Sequence, residues 1–118
     1  MLGFMNITKA LSEENRVRIL MALSGEEEIC VCRIIDLLEL APSTVSKHLF
    51  LLKNARLIIG RKQGRWTHYR LNTDETASKA VKKALEWVGA SLSEDPVVLK
   101  DRERLNGILA ADSEDRCR

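Results

Sequence analysis

Apolar residues recur every three or four positions through the first half of the chain, which is the spacing of helices with one buried face. In one such stretch Val17, Leu20 and Met21 share a face, and Ser12 ahead of them is a residue type that caps helix N-termini. We therefore predict four short helices: residues 7–11, a helix capped by Ser12 that ends near residue 23, residues 30–38, and residues 44–53.

The third and fourth predicted helices are separated only by residues 39–42, as in a helix-turn-helix. The second helix of such a unit reads DNA, so its first turns must expose short polar or basic side chains. We predict that Ser43 caps this helix and that His48 packs rather than facing the DNA groove, while the orientation of Phe50 stays open. The candidate DNA-binding residues of this helix are Ser43, Thr44, Ser46 and Lys47.

Two β-prone runs, residues 57–59 and 66–71, flank a glycine-containing turn, which predicts a two-stranded β-hairpin. Arg61, Lys62 and Arg65 make this hairpin basic, and such side chains suit phosphate contacts that add affinity without reading sequence. The order of elements predicts a mainly α (α+β) winged helix-turn-helix with the hairpin as its wing. The simpler alternative is a small helical bundle that carries a hairpin.

A longer helix is predicted over residues 76–92, and one continuous apolar stripe runs along it. We expect the stripe to pair with its counterpart in a second copy, as a two-fold homodimer; the alternative is that it only covers the core of one chain. Residues 1–92 then form one DNA-binding and dimerisation domain. Residues 93–118 form a charged C-terminal tail with at most a short helix near residues 102–109.

Charge is concentrated in the middle of the chain. Residues 31–71 carry eight Lys or Arg and two Asp or Glu, a net charge of +6, whereas the segments on either side each carry −2. A basic region between acidic flanks is typical of a surface that meets a polyanion, here double-stranded operator DNA. Chance clustering of solvated charge is the alternative.

Composition narrows the class of protein. The 118 residues are 45% hydrophobic and 31% charged, as in a one-domain globular protein, and no apolar run is long enough to span a membrane. The first residues lack the features of a signal peptide, so we expect a cytoplasmic location, where thiols are usually reduced. The three cysteines are an odd number, which argues against a closed disulfide framework.

Two of these cysteines, Cys30 and Cys32, stand one residue apart at the start of the third predicted helix. On a helix, positions i and i+2 do not face each other, so we expect one thiol to face outward. A soft metal or metalloid held by both sulfurs would require them to lie about 3.5–4 Å apart. We therefore expect ligand binding to distort the start of this helix; the alternative is two buried structural cysteines.

Four segments together carry a family resemblance: LSEENRVRIL (residues 11–20), CVC (30–32), STVSKHL (43–49) and RKQGRWTHYRL (61–71). Over residues 7–92 the chain resembles the ArsR/SmtB family of winged helix-turn-helix repressors, which leave DNA when they bind a metal or metalloid. The resemblance implies a homodimer formed by the first and last helices. It is greatest to the arsenical-resistance repressors, which implies arsenite or antimonite as the inducer.

The chain departs from that family at the ligand set. The arsenical pattern has a third cysteine where Ile35 stands here, and the last helix (residues 72–92) lacks the histidine of the zinc-sensing branch. We predict Cys30, Cys32 and Cys117 as ligands, with Cys117 arriving from either protomer; a solvent oxygen or a small thiol is the alternative third donor.

Two other functions are compatible with the same cysteines. One is a regulator that senses thiol oxidation or a soft metal of the cadmium/lead type. The other is a thiol-dependent arsenate reductase, but Cys-Val-Cys is not the Cys-x-x-Cys redox spacing and the chain has no glycine-rich phosphate loop. We therefore predict a regulator and not an enzyme.

Overall fold

The computed structural model describes residues 1–111 as six helices and one small sheet. In chain order the elements are α1 (Leu2–Ala10), α2 (Glu14–Leu23), β1 (Ile29–Cys30), α3 (Val31–Leu38), α4 (Pro42–Asn54), β2 (Ile58–Gln63), β3 (Trp66–Leu71), α5 (Lys79–Leu92) and α6 (Pro96–Ala110). The predicted winged helix-turn-helix is confirmed: α3 and α4 form the helix-turn-helix, and β2 and β3 form the wing.

The sheet has a third strand that the sequence did not predict. Strand β3 lies between β2 and β1 and runs antiparallel to both. Strand β1 is only two residues long, and it pairs Ile29 with Tyr69 and Cys30 with His68. Because α3 begins at the next residue, β1 joins the wing directly to the helix-turn-helix.

Several helices begin elsewhere than predicted. Glu13, not Ser12, caps α2 by accepting a hydrogen bond from the backbone N–H of Arg16, because the Ser12 hydroxyl donates to the Lys9 carbonyl at the end of α1. Helix α4 begins one residue before the predicted Ser43 cap, since Pro42 has its φ fixed near the helical value and needs no N–H partner in the first turn.

The apolar stripe of α5 is divided between the core and the surface. Val81, Ala84 and Val88 are buried within the single chain, so this part of the stripe covers the chain's own core, as the alternative interpretation held. Trp87 on the same helix is 66% exposed. Ala80 of the stripe is exposed and Leu85 and Leu92 are half-buried, so pairing with a second copy through the rest of the stripe stays a prediction.

Helix α6 is longer than the short helix predicted near residues 102–109. It is capped by the Asp95 carboxylate, which accepts from the backbone N–H groups of Val97 and Val98. Its buried positions include Val98 and Leu105, and Leu105 is fully enclosed in the main core. The charged residues between these positions obscured the pattern in the sequence. Among residues 1–111, no helix has the length and apolar character needed to cross a membrane.

Candidate nucleic-acid interface and thiol site

Helix α4 exposes one polar face and buries one apolar face. Val45, Leu49 and Leu52 are buried in the core and fix the rotation of the helix about its own axis. The side chains predicted to contact DNA lie on the opposite face, and all of them are exposed: Ser43, Thr44, Ser46 and Lys47. This face has the size and polarity that a major groove accepts.

His48 of α4 packs inward, as predicted. Its Nδ1 lies 3.3 Å from Nη1 of Arg16, and the side chain is 13% exposed. Arg16 is itself buried and donates to the backbone carbonyls of Lys9 and Ala10 at the end of α1. Sequence reasoning did not identify Arg16, yet this one side chain joins α1, α2 and α4.

The tip of the wing is basic and open to solvent. Lys62 and Arg65 are exposed, and the turn between the strands contains Gly64 with a φ of +63°, which favours glycine. The Arg65 guanidinium lies 5.6 Å from the centre of the Trp66 ring, within cation–π range. Both cations remain available to a phosphate backbone.

Arg61 differs from the other two wing cations because it is held by a carboxylate. Its Nε lies 3.0 Å from Oε2 of Glu28, and its Nη2 lies 2.5 Å from Oε1 of the same carboxylate. The hydrogen bond from Arg61 holds the pKa of Glu28 below its usual value. Nothing in the sequence pattern indicated Glu28 as the partner of a predicted DNA-binding residue.

The two cysteine sulfurs lie 3.3 Å apart while α3 is fully formed. Cys30 is the N-cap of α3 and has extended backbone angles, φ −67° and ψ 142°, so the helical angular spacing does not apply to the pair. The distortion of the helix start on ligand binding stays a prediction, but the geometric reason given for it is wrong. Its premise placed Cys30 inside the helix, whereas Cys30 belongs to β1.

Both sulfurs are also more enclosed than predicted, and Cys30 is a free thiol. Cys30 is 6% exposed and Cys32 is 9% exposed, so neither faces outward. In the part of the chain that the structure describes, no group of three His, Cys, Asp or Glu side chains is placed to hold a metal ion. Cys117, the predicted third ligand, lies outside the described residues.

The sheet register connects the thiol site with the wing. His68 of β3 is the cross-strand neighbour of Cys30 on one side and of Arg61 on the other. The Nδ1 of His68 lies 3.9 Å from Oε1 of Glu28, the carboxylate that holds Arg61. Cys30, Cys32 and Arg61 therefore lie close to one another in the structure. From the sequence alone, the cysteines and the wing are predicted as separate sites.

Comparison with known proteins gives the family. Residues 6–59 match the model for the bacterial regulatory protein, arsR family. The chain is 42% identical over 64 residues to the arsenical resistance operon repressor of Escherichia coli K12, a match that covers 54% of this chain and 55% of that protein. The chain thus spans little more than half the length of this relative.

Two further proteins match over more of their length. The chain is 40% identical over 68 residues to the uncharacterized HTH-type transcriptional regulator MJ1325 of Methanocaldococcus jannaschii, covering 58% of this chain and 76% of that protein. The structure of HlyU from Vibrio cholerae N16961 superposes with a TM-score of 0.64 and 28% identity, covering 79% of this chain and 95% of that one. This chain therefore belongs to the arsR family of bacterial transcription regulators, as the sequence predicted, and not to a class of enzymes.

Proposed function

We propose that the chain is a dimeric repressor that binds operator DNA through α4 and the wing, and that trivalent arsenic or antimony bound by Cys30 and Cys32 releases it. Family membership and the similarity to an arsenical resistance operon repressor support a regulator of this kind. The exposed polar face of α4 and the basic wing tip support a DNA surface with both base-reading and phosphate-binding parts.

The observation that carries the proposal is the position of the thiol pair at the junction of the two DNA-binding parts. Cys30 is paired through β1 to the central strand of the wing sheet, and Cys32 lies in the first turn of α3. A ligand held by both sulfurs would tie the sheet to the helix-turn-helix at this junction. A structural change at this junction would therefore move both α4 and the wing, the two surfaces that we assign to DNA.

The chemistry of the donors supports a soft ligand. Thiolate sulfur is polarisable and prefers thiophilic metals and metalloids over magnesium or calcium. A separation of 3.3 Å between the sulfurs is close to the spacing that a shared central atom requires. Cys117, a solvent oxygen or a small thiol would complete a three-coordinate site, and Cys117 remains our prediction.

The burial of the two cysteine sulfurs explains how ligand binding would be coupled to DNA binding. An atom entering between two enclosed sulfurs needs space, which it gains by shifting α3 against β1 instead of by unwinding α3. The ligand then favours the shifted state and DNA favours the other, and the effect is reciprocal. A typical coupling of about 1–3 kcal/mol would weaken DNA binding roughly 5- to 150-fold.

The test is an anaerobic DNA-binding titration with all thiols reduced. The probe is a duplex that the wild-type chain selects from a random-sequence pool. We expect arsenite to release the wild-type protein, whereas Cys30→Ser and Cys32→Ser bind the same duplex and are not released. Cys117→Ser serves as the comparison for the third donor, and we expect it to need more arsenite for the same release.

Three outcomes would contradict the proposal. Failure of the serine variants to bind DNA would show that the thiols are structural. Release that requires an oxidant would indicate thiol oxidation as the signal. Release by cadmium but not by arsenite would indicate the cadmium/lead type of sensing.

A further inference from the structure

We infer that Arg104, on α6 and outside the helix-turn-helix, positions the recognition helix α4 by fixing the turn that connects it to α3. The inference rests on the proposed DNA-binding function of α4. It assigns a role in DNA recognition to a residue of the segment that the sequence predicted to be a charged tail with a short helix.

Arg104 contacts the end of α3 at three points. Its Nη1 donates to the Leu37 carbonyl at 2.6 Å, and its Nη2 donates to the Asp36 carbonyl at 3.4 Å. The same Nη2 lies 3.4 Å from Oε1 of Glu39, the residue that ends α3. One guanidinium therefore holds both the last turn of the helix and the first residue beyond it.

These contacts lie at the C-terminal end of α3, where the chain turns towards α4. The last carbonyls of a helix lack partners within the helix, so a cation there satisfies them and also favours the negative end of the helix dipole. Glu39 has a φ of 55° and a ψ of 38°, a left-handed conformation that is unfavourable for a residue with a side chain. The Glu39 side chain is 75% exposed, so its ion pair with Arg104 adds little, and the contacts with the Asp36 and Leu37 carbonyls hold this end of α3.

Little chain separates this turn from the recognition surface. Helix α3 ends at Leu38 and α4 begins at Pro42, so Glu39 and two further residues set the angle between the helices. Ser43 and Thr44, which we assign to DNA, follow immediately in the first turn of α4. A change in the turn at Glu39 therefore changes where these side chains point.

Arg104 itself is held by a firmly attached helix. On α6, Leu105 is fully buried in the main core, and the Asp101 carboxylate accepts two hydrogen bonds from Arg18 of α2, at 2.8 and 2.9 Å. The guanidinium thus projects from a fixed support onto the end of α3. Because α6 is anchored, the Arg104 guanidinium can fix the position of the end of α3, which a mobile side chain could not do.

The same helix offers a matched control. Arg102 donates from Nη2 to the Met21 carbonyl at 2.7 Å and from Nη1 to the Ala22 carbonyl at 3.4 Å, at the end of α2. Arg102 and Arg104 therefore make the same type of contact from the same helix to different helix ends. Only α3 is followed by the recognition helix, so only Arg104 should affect DNA reading.

The experiment compares full-length Arg104→Gln, Arg104→Lys and Arg102→Gln. Each is titrated with the duplex selected by the wild-type chain and with a scrambled duplex of the same length and composition. For Arg104→Gln we expect roughly 10-fold weaker binding to the selected duplex, the size of a lost charged hydrogen bond, and unchanged binding to the scrambled one. Arg104→Lys should recover part of the loss, and Arg102→Gln should leave the ratio of the two affinities unchanged.

The ratio of the affinities for the selected and the scrambled duplex distinguishes a positioning role of Arg104 from other roles. A smaller folded fraction or a lost phosphate contact would weaken both duplexes equally, and a phosphate contact would also lower the salt slope by about one. Either result, or an unchanged ratio in Arg104→Gln, overturns the inference while leaving the proposed function intact. If the wild-type chain selects no duplex at all, the proposed function itself fails.

Discussion

At the scale of single residues, the carboxylate of Glu28 lies where the wing meets the cysteine site. It holds Arg61, which the proposed interface assigns to phosphate, and it lies two residues before Cys30. The pair is partly exposed, with the Arg61 side chain 52% accessible, so DNA phosphate can compete with the carboxylate for the guanidinium. We interpret Glu28 as a local competitor of DNA beside the thiol site.

Replacing Glu28 with glutamine should therefore strengthen DNA binding. We expect a gain of about two- to fivefold and a steeper dependence on salt, because one more cation becomes free to contact phosphate. The measurement is a DNA titration at several salt concentrations. Glu27→Gln removes the same charge from the adjacent, exposed position and serves as the control. Equal gains in the two variants would show that only net charge, and not the pair with Arg61, matters.

The sequence did not reveal whether Cys30 lies in the helix or before it. Cys-Val-Cys before an amphipathic run is compatible with a helix that includes Cys30 or with one that begins after it. Cys30 lies outside the helix because it pairs as a strand residue with His68, which is 38 positions away in the chain. A short strand that depends on so distant a partner leaves no local pattern to detect.

At the scale of elements, one enclosed ion pair contributes to the attachment of α6. Asp101 is 7% exposed, and its two hydrogen bonds from Arg18 join α6 to α2. The hydrogen bond to Asp101 raises the pKa of Arg18, so the guanidinium stays charged. Removing one member of such a pair leaves the other charge without its partner in a poorly hydrated site.

We expect Asp101→Asn to lower the free energy of unfolding by about 2–3 kcal/mol. The measurement is denaturant unfolding at a fixed protein concentration, with an unchanged m-value as the sign that the same fold is being compared. Glu103→Gln, on the exposed side of the same helix, is the control and should change stability by less than about 0.5 kcal/mol. Similar losses in both variants would contradict the importance we give to the pair.

Elements with strong local patterns were predictable, and elements fixed by distant contacts were not. The apolar spacing of α4 and the two β-prone runs around the glycine turn are local signals, and the predicted helix-turn-helix and wing followed from them. Helix α6 has only a sparse apolar pattern, and its buried side includes the charged Asp101. Its place against α2 is fixed in part by Arg18, a distant partner that no local pattern reveals.

At the scale of the whole molecule, an apolar surface remains uncovered. Helix α1 exposes Leu2, Phe4 and Met5, and it packs beside α5, which exposes Trp87. A surface of this composition on a single chain is typical of an interface. It agrees with the family-based expectation that the first and last helices of the winged domain pair with a second copy, and that pairing stays a prediction.

We expect Trp87→Ser to weaken self-association by roughly 30-fold, the effect of losing an aromatic anchor at an interface. Sedimentation across a range of concentrations measures it. Phe50→Ser is the matched control, because Phe50 is equally exposed, at 66%, but belongs to α4, the helix assigned to DNA. The account of the dimer fails if Trp87→Ser associates as well as the wild type, or if both variants weaken association alike.

The central claim is that one thiol pair and one DNA surface are coupled within this fold. The most direct measurement is the affinity of the fully reduced protein for arsenite, determined free and in complex with its selected duplex. We predict that DNA weakens arsenite binding by the same factor by which arsenite weakens DNA binding, roughly 5- to 150-fold. Equal arsenite affinities in the free and DNA-bound protein would contradict the account.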